Sequence, residues 1–187
     1  MITQRDEVML LWLENFKVAT TNQINQLFYK NRTVCNKRLL KLFEDKIIKR
    51  TKDPYSNQYI YHIKPLKTLT QLKHYYIRNE FYIKLVDMGC EIEKYVVEKT
   101  MGSIIPDLCI SFIYNDVKYM YFVEVERSEQ KINVSKYNQF FIEDYEEFMT
   151  TKIPVVYITH KNIPRCNYTT IKVSLDLSDI SNIFPTR

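Results

Sequence analysis

Apolar residues recur at helical spacing through the first part of the chain and at strand spacing through much of the rest. Thr3, with Asp6 three residues on, makes a hydroxyl cap with an acid in the first turn; Val8, Leu11 and Trp12 then follow as an apolar stripe, so a helix starts there. A second cap, Thr20 with Gln23, opens a helix whose apolar face is Ile24, Leu27 and Phe28. A short turn separates the two, so they must fold sharply against each other. In residues 31–46, Cys35, Leu39, Leu42 and Phe43 fall on one side of a third helix. Two short strands, residues 47–51 and 58–63, are expected around the turn-rich Asp53-Pro54-Tyr55-Ser56-Asn57, and Pro65 ends that hairpin.

Leu72, Tyr76, Phe81 and Leu85 predict a long helix over residues 69–88, with Gly89 as its C-terminal cap. Strands follow at 91–97, 107–114 and 118–126, then a helix at 133–148, a buried strand at 154–159 and a last strand near 170–174. The order α-β-β-β-α-β describes a compact unit with its own core. The chain therefore reads as α/β (α+β), in two domains of residues 1–67 and 68–187.

Charge sharpens the reading of the first domain. The chain carries +5 overall, but residues 1–70 hold 13 Lys and Arg against 6 Asp and Glu, and residues 71–187 hold 14 against 16. The face of the third helix opposite its apolar stripe gathers Arg32, Thr33, Asn36, Lys37 and Lys41, side chains that hydrogen-bond base edges and phosphates. Three short helices followed by a basic hairpin carrying Arg50 and Lys52 is the order of a winged helix-turn-helix. In that fold the third helix enters the major groove and the wing touches the neighbouring backbone. Double-stranded DNA is the expected partner, and a homodimer is a possible form with no surface singled out. The plainer alternative is a basic face that is merely solvated or that meets a protein.

Several classes drop out. The cysteines at 35, 90, 109 and 166 form no close pair and have no histidine at metal spacing, which argues against a disulfide framework or a zinc site; they are expected to be reduced and buried. His62, His74 and His160 are scattered, so no Ser/His/Asp or Cys/His centre can be assembled. No window approaches the ~18 apolar residues of a membrane span, and the N-terminus is acidic and amphipathic, unlike a signal peptide. A cytoplasmic protein without a membrane partner is expected.

The hairpin at the middle of the second domain carries candidate chemistry. Asn115-Asp116 suits a two-residue turn, since both residue types tolerate left-handed backbone. Pairing across it sets Asp107 opposite Glu124, and alternation puts Glu126 on the same face as Glu124. Like charges opposed on a sheet are unfavourable. The three acids are therefore either solvated at the strand ends or gathered around a cation, for which Mg²⁺ or Mn²⁺ suits an all-oxygen set.

Pro106-Asp107 and then Glu124-Val125-Glu126 resemble the PD-(D/E)XK nuclease superfamily, whose core has the same α-β-β-β-α-β order. With the N-terminal winged helix, the chain is similar to the replication-relaxation family of plasmids, phages and other mobile elements. The matching stretches are ITQRDEVMLLWL, FKVATTNQINQLF, the helix over residues 32–42 with IIKR after it, HYYIRNEF at 74–81, PDL at 106–108, FVEVERSEQ at 122–130 and the lysine and tyrosine of SKYNQF. The nuclease resemblance implies Asp107 and Glu124 as metal ligands, joined by Glu80 from the first core helix, with the metal activating a water for phosphodiester attack. It also implies a lysine where this chain has Glu126, and Lys131 or Lys136 is the candidate to supply that cation from the loop or helix that follows. The replication-relaxation resemblance implies a role in maintaining plasmid or phage DNA.

Three functions are compatible with these residues. One is a non-catalytic DNA-binding protein acting in replication or transcription control. A second is a metal-dependent endonuclease with Asp107, Glu124, Glu126 and Lys136 at its centre. A third is a protein-interaction module using the 15 Tyr and 10 Phe, or the acids around 143–147.

Overall fold

A computed structural model describes the chain except for Tyr55, Lys67, Thr186 and Arg187. It divides into two compact units, residues 1–87 and 88–187. The division falls after the long helix, which therefore belongs with the N-terminal elements and not, as a boundary at 67/68 would have it, with the C-terminal ones.

In the first unit, α1 (Gln4–Phe16) starts at Thr3 with the expected reciprocal capping: Thr3 N donates to Asp6 Oδ2 at 2.7 Å and Asp6 N to Thr3 Oγ1 at 3.3 Å. Its buried stripe is Met9, Trp12, Leu13 and Phe16, whereas Val8 and Leu11 are exposed. Of the expected stripe Trp12 is buried, and the other two positions lie one residue out of phase. The set 9, 12, 13 and 16 completes two helical turns and stacks Trp12 on Phe16 at 4.4 Å. Next come β1 (Ala19–Thr20), which sequence pattern alone did not predict, and α2 (Thr21–Ile24), capped by Thr20 and Gln23 as expected. A π-helical turn over Asn25–Tyr29 leads to α3 (Arg32–Glu44), which buries Cys35, Leu39 and Leu42.

Two strands, β2 (Lys49–Lys52) and β3 (Tyr59–His62), complete an antiparallel sheet of order β1-β3-β2. The turn between them is held by Asp53, whose backbone N donates to Gln58 O at 2.8 Å; Tyr55 within it lies outside the described residues. The long helix α4 (Leu72–Asp87) is pinned by two buried side chains: Arg78 Nη2 donates to Phe16 O at 2.8 Å and Asn79 Nδ2 to Val18 O at 2.6 Å. Asn79 thus gives the Val18 carbonyl a partner just beyond the end of α1, and Arg78 adds a second donor to the Phe16 carbonyl, which also accepts from Val18 N at 2.8 Å.

Gly89 has φ +85°, the left-handed backbone expected just past a helix end. The second unit is a five-stranded mixed sheet with helices, in the order β4 (Glu91–Val97), β5 (Leu108–Tyr114), β6 (Val117–Glu126), β7 (Val155–Thr159), β8 (Thr170–Val173). β4 and β6 each pair antiparallel with β5 between them; β6, β7 and β8 run parallel. The β5–β6 hairpin has the register read from the sequence, Leu108 against Val123 and Tyr114 against Val117, with Asn115 and Asp116 both at positive φ.

One face of this sheet, with Cys109, Phe122, Val155 and Tyr157, packs under α5 (Ser135–Glu143) through Tyr137, Phe140 and Phe141. Phe112 and Tyr121 lie on the other face, where the Tyr121 hydroxyl donates to Ile183 O at 2.6 Å. A single helix was expected over 133–148, but it breaks at Asp144, and a short α6 (Tyr145–Phe148) follows. Aspartate is a poor interior helix residue because its side chain competes for backbone N–H groups. Here Asp144 Oδ2 accepts from Ser103 N at 2.7 Å, over Gly102, where any Cβ would collide with that carboxylate.

Candidate metal-binding carboxylate site and basic helix face

Asp107 directly precedes β5, and its Oδ2 accepts from Val125 N at 2.7 Å. The contact ties the acid to the backbone between Glu124 and Glu126. Glu124 lies on the β6 face that α5 covers and is only 4% exposed. Two consecutive residues of α5 reach it: Lys136 Nζ sits 3.0 Å from Glu124 Oε1, and the Tyr137 hydroxyl donates to the same oxygen at 2.6 Å. Among the described residues no donor reaches Oε2.

Burial, and then the charge of Asp107, push the Glu124 carboxyl up to about 7, while Lys136 and Tyr137 pull against that rise. A carboxyl raised in the folded state stabilises the fold below its unfolded value of 4.5. That contribution is lost as pH rises through about 7. Burial and the neighbouring Glu124 also push the Tyr137 hydroxyl well above its ordinary value, so it remains a donor throughout the working range. Behind it, the hydroxyls of Tyr157 and Tyr168 lie 2.7 Å apart.

The other candidates have partners of their own. Glu126 Oε2 pairs with Lys161 Nζ at 3.6 Å, and Lys161 also donates to Gln130 O at 2.5 Å. The position where a nuclease lysine was expected therefore carries an acid already matched by a cation. Glu80 belongs to the first unit, where its carboxylate accepts from Gln23 Nε2 at 3.3 Å. Among the described residues no three His, Cys, Asp or Glu side chains converge as a metal cluster. Within the second unit the donor set is Asp107 and Glu124, which fits Mg²⁺, an ion that commonly keeps several waters and takes one or two carboxylates. Lys161 and Tyr137 were missed as site neighbours. Tyr137 was readable only by knowing that α5 lies over β6.

In the first unit, Arg32, Thr33, Asn36, Lys37 and Lys41 are all exposed on α3, as is Lys52 on β2. Arg32 donates through Nη1 to Asn22 Oδ1, and Lys41 Nζ pairs with Asp45 at 2.7 Å. Arg50 is held between two rings, 4.2 Å from the Phe43 centroid and 4.4 Å from that of Tyr59. Its guanidinium therefore has its stem and faces fixed. Arg38 does not join this face. It turns inward to Asp6, which is 1% exposed, with Nε 2.9 Å from Oδ1 and Nη2 2.5 Å from Oδ2. The Tyr29 hydroxyl adds a further donor at 3.0 Å, beside the two from Thr3. Cys35, Cys90 and Cys109 are buried free thiols and Cys166 is half-buried. No helix among the described residues is long and apolar enough to cross a membrane.

No protein-family model matches the chain, and no curated protein matches it. The resemblance to the replication-relaxation family thus rests on the sequence segments alone. Among solved structures, the restriction endonuclease FokI is similar at 13% identity with a TM-score of 0.33, over 95% of this chain and 42% of that one. The chain thus spans less than half of the length of that enzyme, and at this score the likeness is too slight to define a shared fold.

Proposed function

We propose that the protein binds double-stranded DNA through its first unit and hydrolyses phosphodiester bonds at Asp107, Glu124 and Lys136 with Mg²⁺ or Mn²⁺. The observation that carries the catalytic half is the ion pair from Lys136 to a buried Glu124. A PD-(D/E)XK-like site needs a cation beside its second acid, and the lysine absent at position 126 is supplied by α5. When bound, the metal would supply a water of lowered pKa and neutralise charge on the phosphate. Asp107 and Glu124 would hold it, Asp107 oriented by Val125 N. Lys136 would balance the carboxylate and stand ready to stabilise the anionic phosphorane. A role in the DNA maintenance of a mobile element is the setting we propose, on the strength of the matching segments.

The binding half is supported by order and exposure. α1, α2 and α3, followed by β2 and β3, keep the succession of a winged helix-turn-helix, and the polar face of α3 is open. Duplex binding should weaken steeply as salt rises, and removing one phosphate-neutralising cation should lower the slope by about one unit. Lys37→Glu should weaken binding at least ~10-fold, because it turns one cation of that face into an anion. Retardation of a labelled duplex in EDTA measures it, and unchanged affinity would remove α3 from the interface. The competing outcome for the second unit, a site retained without catalysis, is favoured by the Glu126–Lys161 pair. It predicts the same retardation and no cleavage when metal is added.

A further inference from the structure

Lys136 and Tyr137 spend their donors on a single atom. Both reach Glu124 Oε1, and among the described residues Oε2 is left without a donor. Tyr137 is fully buried between Phe122, Phe141 and Tyr168, with ring centroids 5.5–6.1 Å away, so its hydroxyl is fixed by packing as well as by the bond it makes. Deleting it would leave the ring in place and take one of the two donors from Oε1.

We propose that Tyr137 is a positioning residue that makes Glu124 a one-oxygen ligand and so selects Mg²⁺ or Mn²⁺ over Ca²⁺ at the Asp107–Glu124 site. The inference rests on the metal-site reading above. Mg²⁺ requires near-ideal octahedral geometry with short bonds, while Ca²⁺ takes more oxygens at longer distances and accepts a carboxylate through both of them. An oxygen already accepting from an ammonium and a hydroxyl is poorly placed to join a second, bidentate contact. The committed Oε1 therefore penalises the larger ion, and the open Oε2 suits the smaller one. Oriented outer partners of this kind typically alter metal affinity 10–100-fold.

The test is calorimetric titration of the full chain with MgCl₂, MnCl₂ and CaCl₂ at one fixed pH. The wild type should bind Mg²⁺ and Mn²⁺ more tightly than Ca²⁺. Tyr137→Phe should raise the Ca²⁺-to-Mg²⁺ affinity ratio about ten-fold. A purely structural role would weaken all three ions together and leave that ratio unmoved. Lys136→Met, which removes the other donor from a half-exposed position, should shift the ratio the same way and serves if the phenylalanine variant does not fold. An unchanged ratio in a folded variant overturns the proposal. A wild type that binds none of the three ions overturns the metal-site reading and this inference with it.

Discussion

Replacing Arg38 with methionine should destabilise the first unit by about 3–5 kcal/mol, the usual cost of leaving one member of a buried ion pair alone. Asp6 is the buried member, and Arg38 supplies two of its hydrogen bonds. Burial by itself would raise the Asp6 carboxyl, yet Arg38, Thr3 and Tyr29 together hold it far below the ordinary carboxylate range. A carboxylate lowered in the folded state stabilises the fold above its unfolded value of 3.8, and that stability is lost as pH falls through the folded value. The variant should therefore melt lower at neutral pH, at roughly 4–8 °C per kcal/mol for a unit of this size. Its acid unfolding should also begin at higher pH. Lys41→Met, which removes an exposed pair with Asp45, is the comparison and should leave the melting curve in place. Equal melting of the Arg38 variant and the wild type, followed by circular dichroism across pH, would show that Asp6 does not need its guanidinium.

Lys136→Met should reduce metal-dependent cleavage by about 10²–10³-fold, the typical loss when one preorganised charge is removed from the place where negative charge develops. The same change leaves Glu124 buried without its cation, so the carboxyl should rise further above the about 7 that burial and Asp107 already impose. Metal binding competes with that proton. Any residual activity of the variant should therefore climb toward higher pH than in the wild type. Cleavage rates across a pH series measure both effects. Retained activity with a shifted profile would mean that Lys136 only balances charge in the ground state, and retained activity with an unshifted profile would remove it from the site.

Much of the architecture could be read from local chemistry. The caps at Thr3 and Thr20 each bring their partner at the third position, and both helices begin where those residues put them. The Asn115-Asp116 turn fixes the hairpin register, because a two-residue turn with two left-handed residues leaves one pairing. From that register the approach of Asp107 to the backbone beside Glu124 follows directly. What failed was information that lives in tertiary contact. The face of α1 was misjudged because Val8 and Leu11 are as apolar as Met9 and Leu13, and only packing against Phe28 and Tyr82 decides between the two stripes. The break at Asp144 depends on Ser103, 41 residues earlier. The partners of the acids depend on which helix covers which strand, so Lys136 could be named as a candidate, whereas Tyr137 on Glu124 and Lys161 on Glu126 could not be foreseen.

The most direct test of the account is supercoiled plasmid incubated with the full chain in Mg²⁺ or Mn²⁺, beside Asp107→Asn, and resolved on a gel. The account predicts nicked or linear plasmid with the wild type and intact, retarded plasmid with the variant. Intact plasmid with both proteins, or equal cleavage by both, would contradict it.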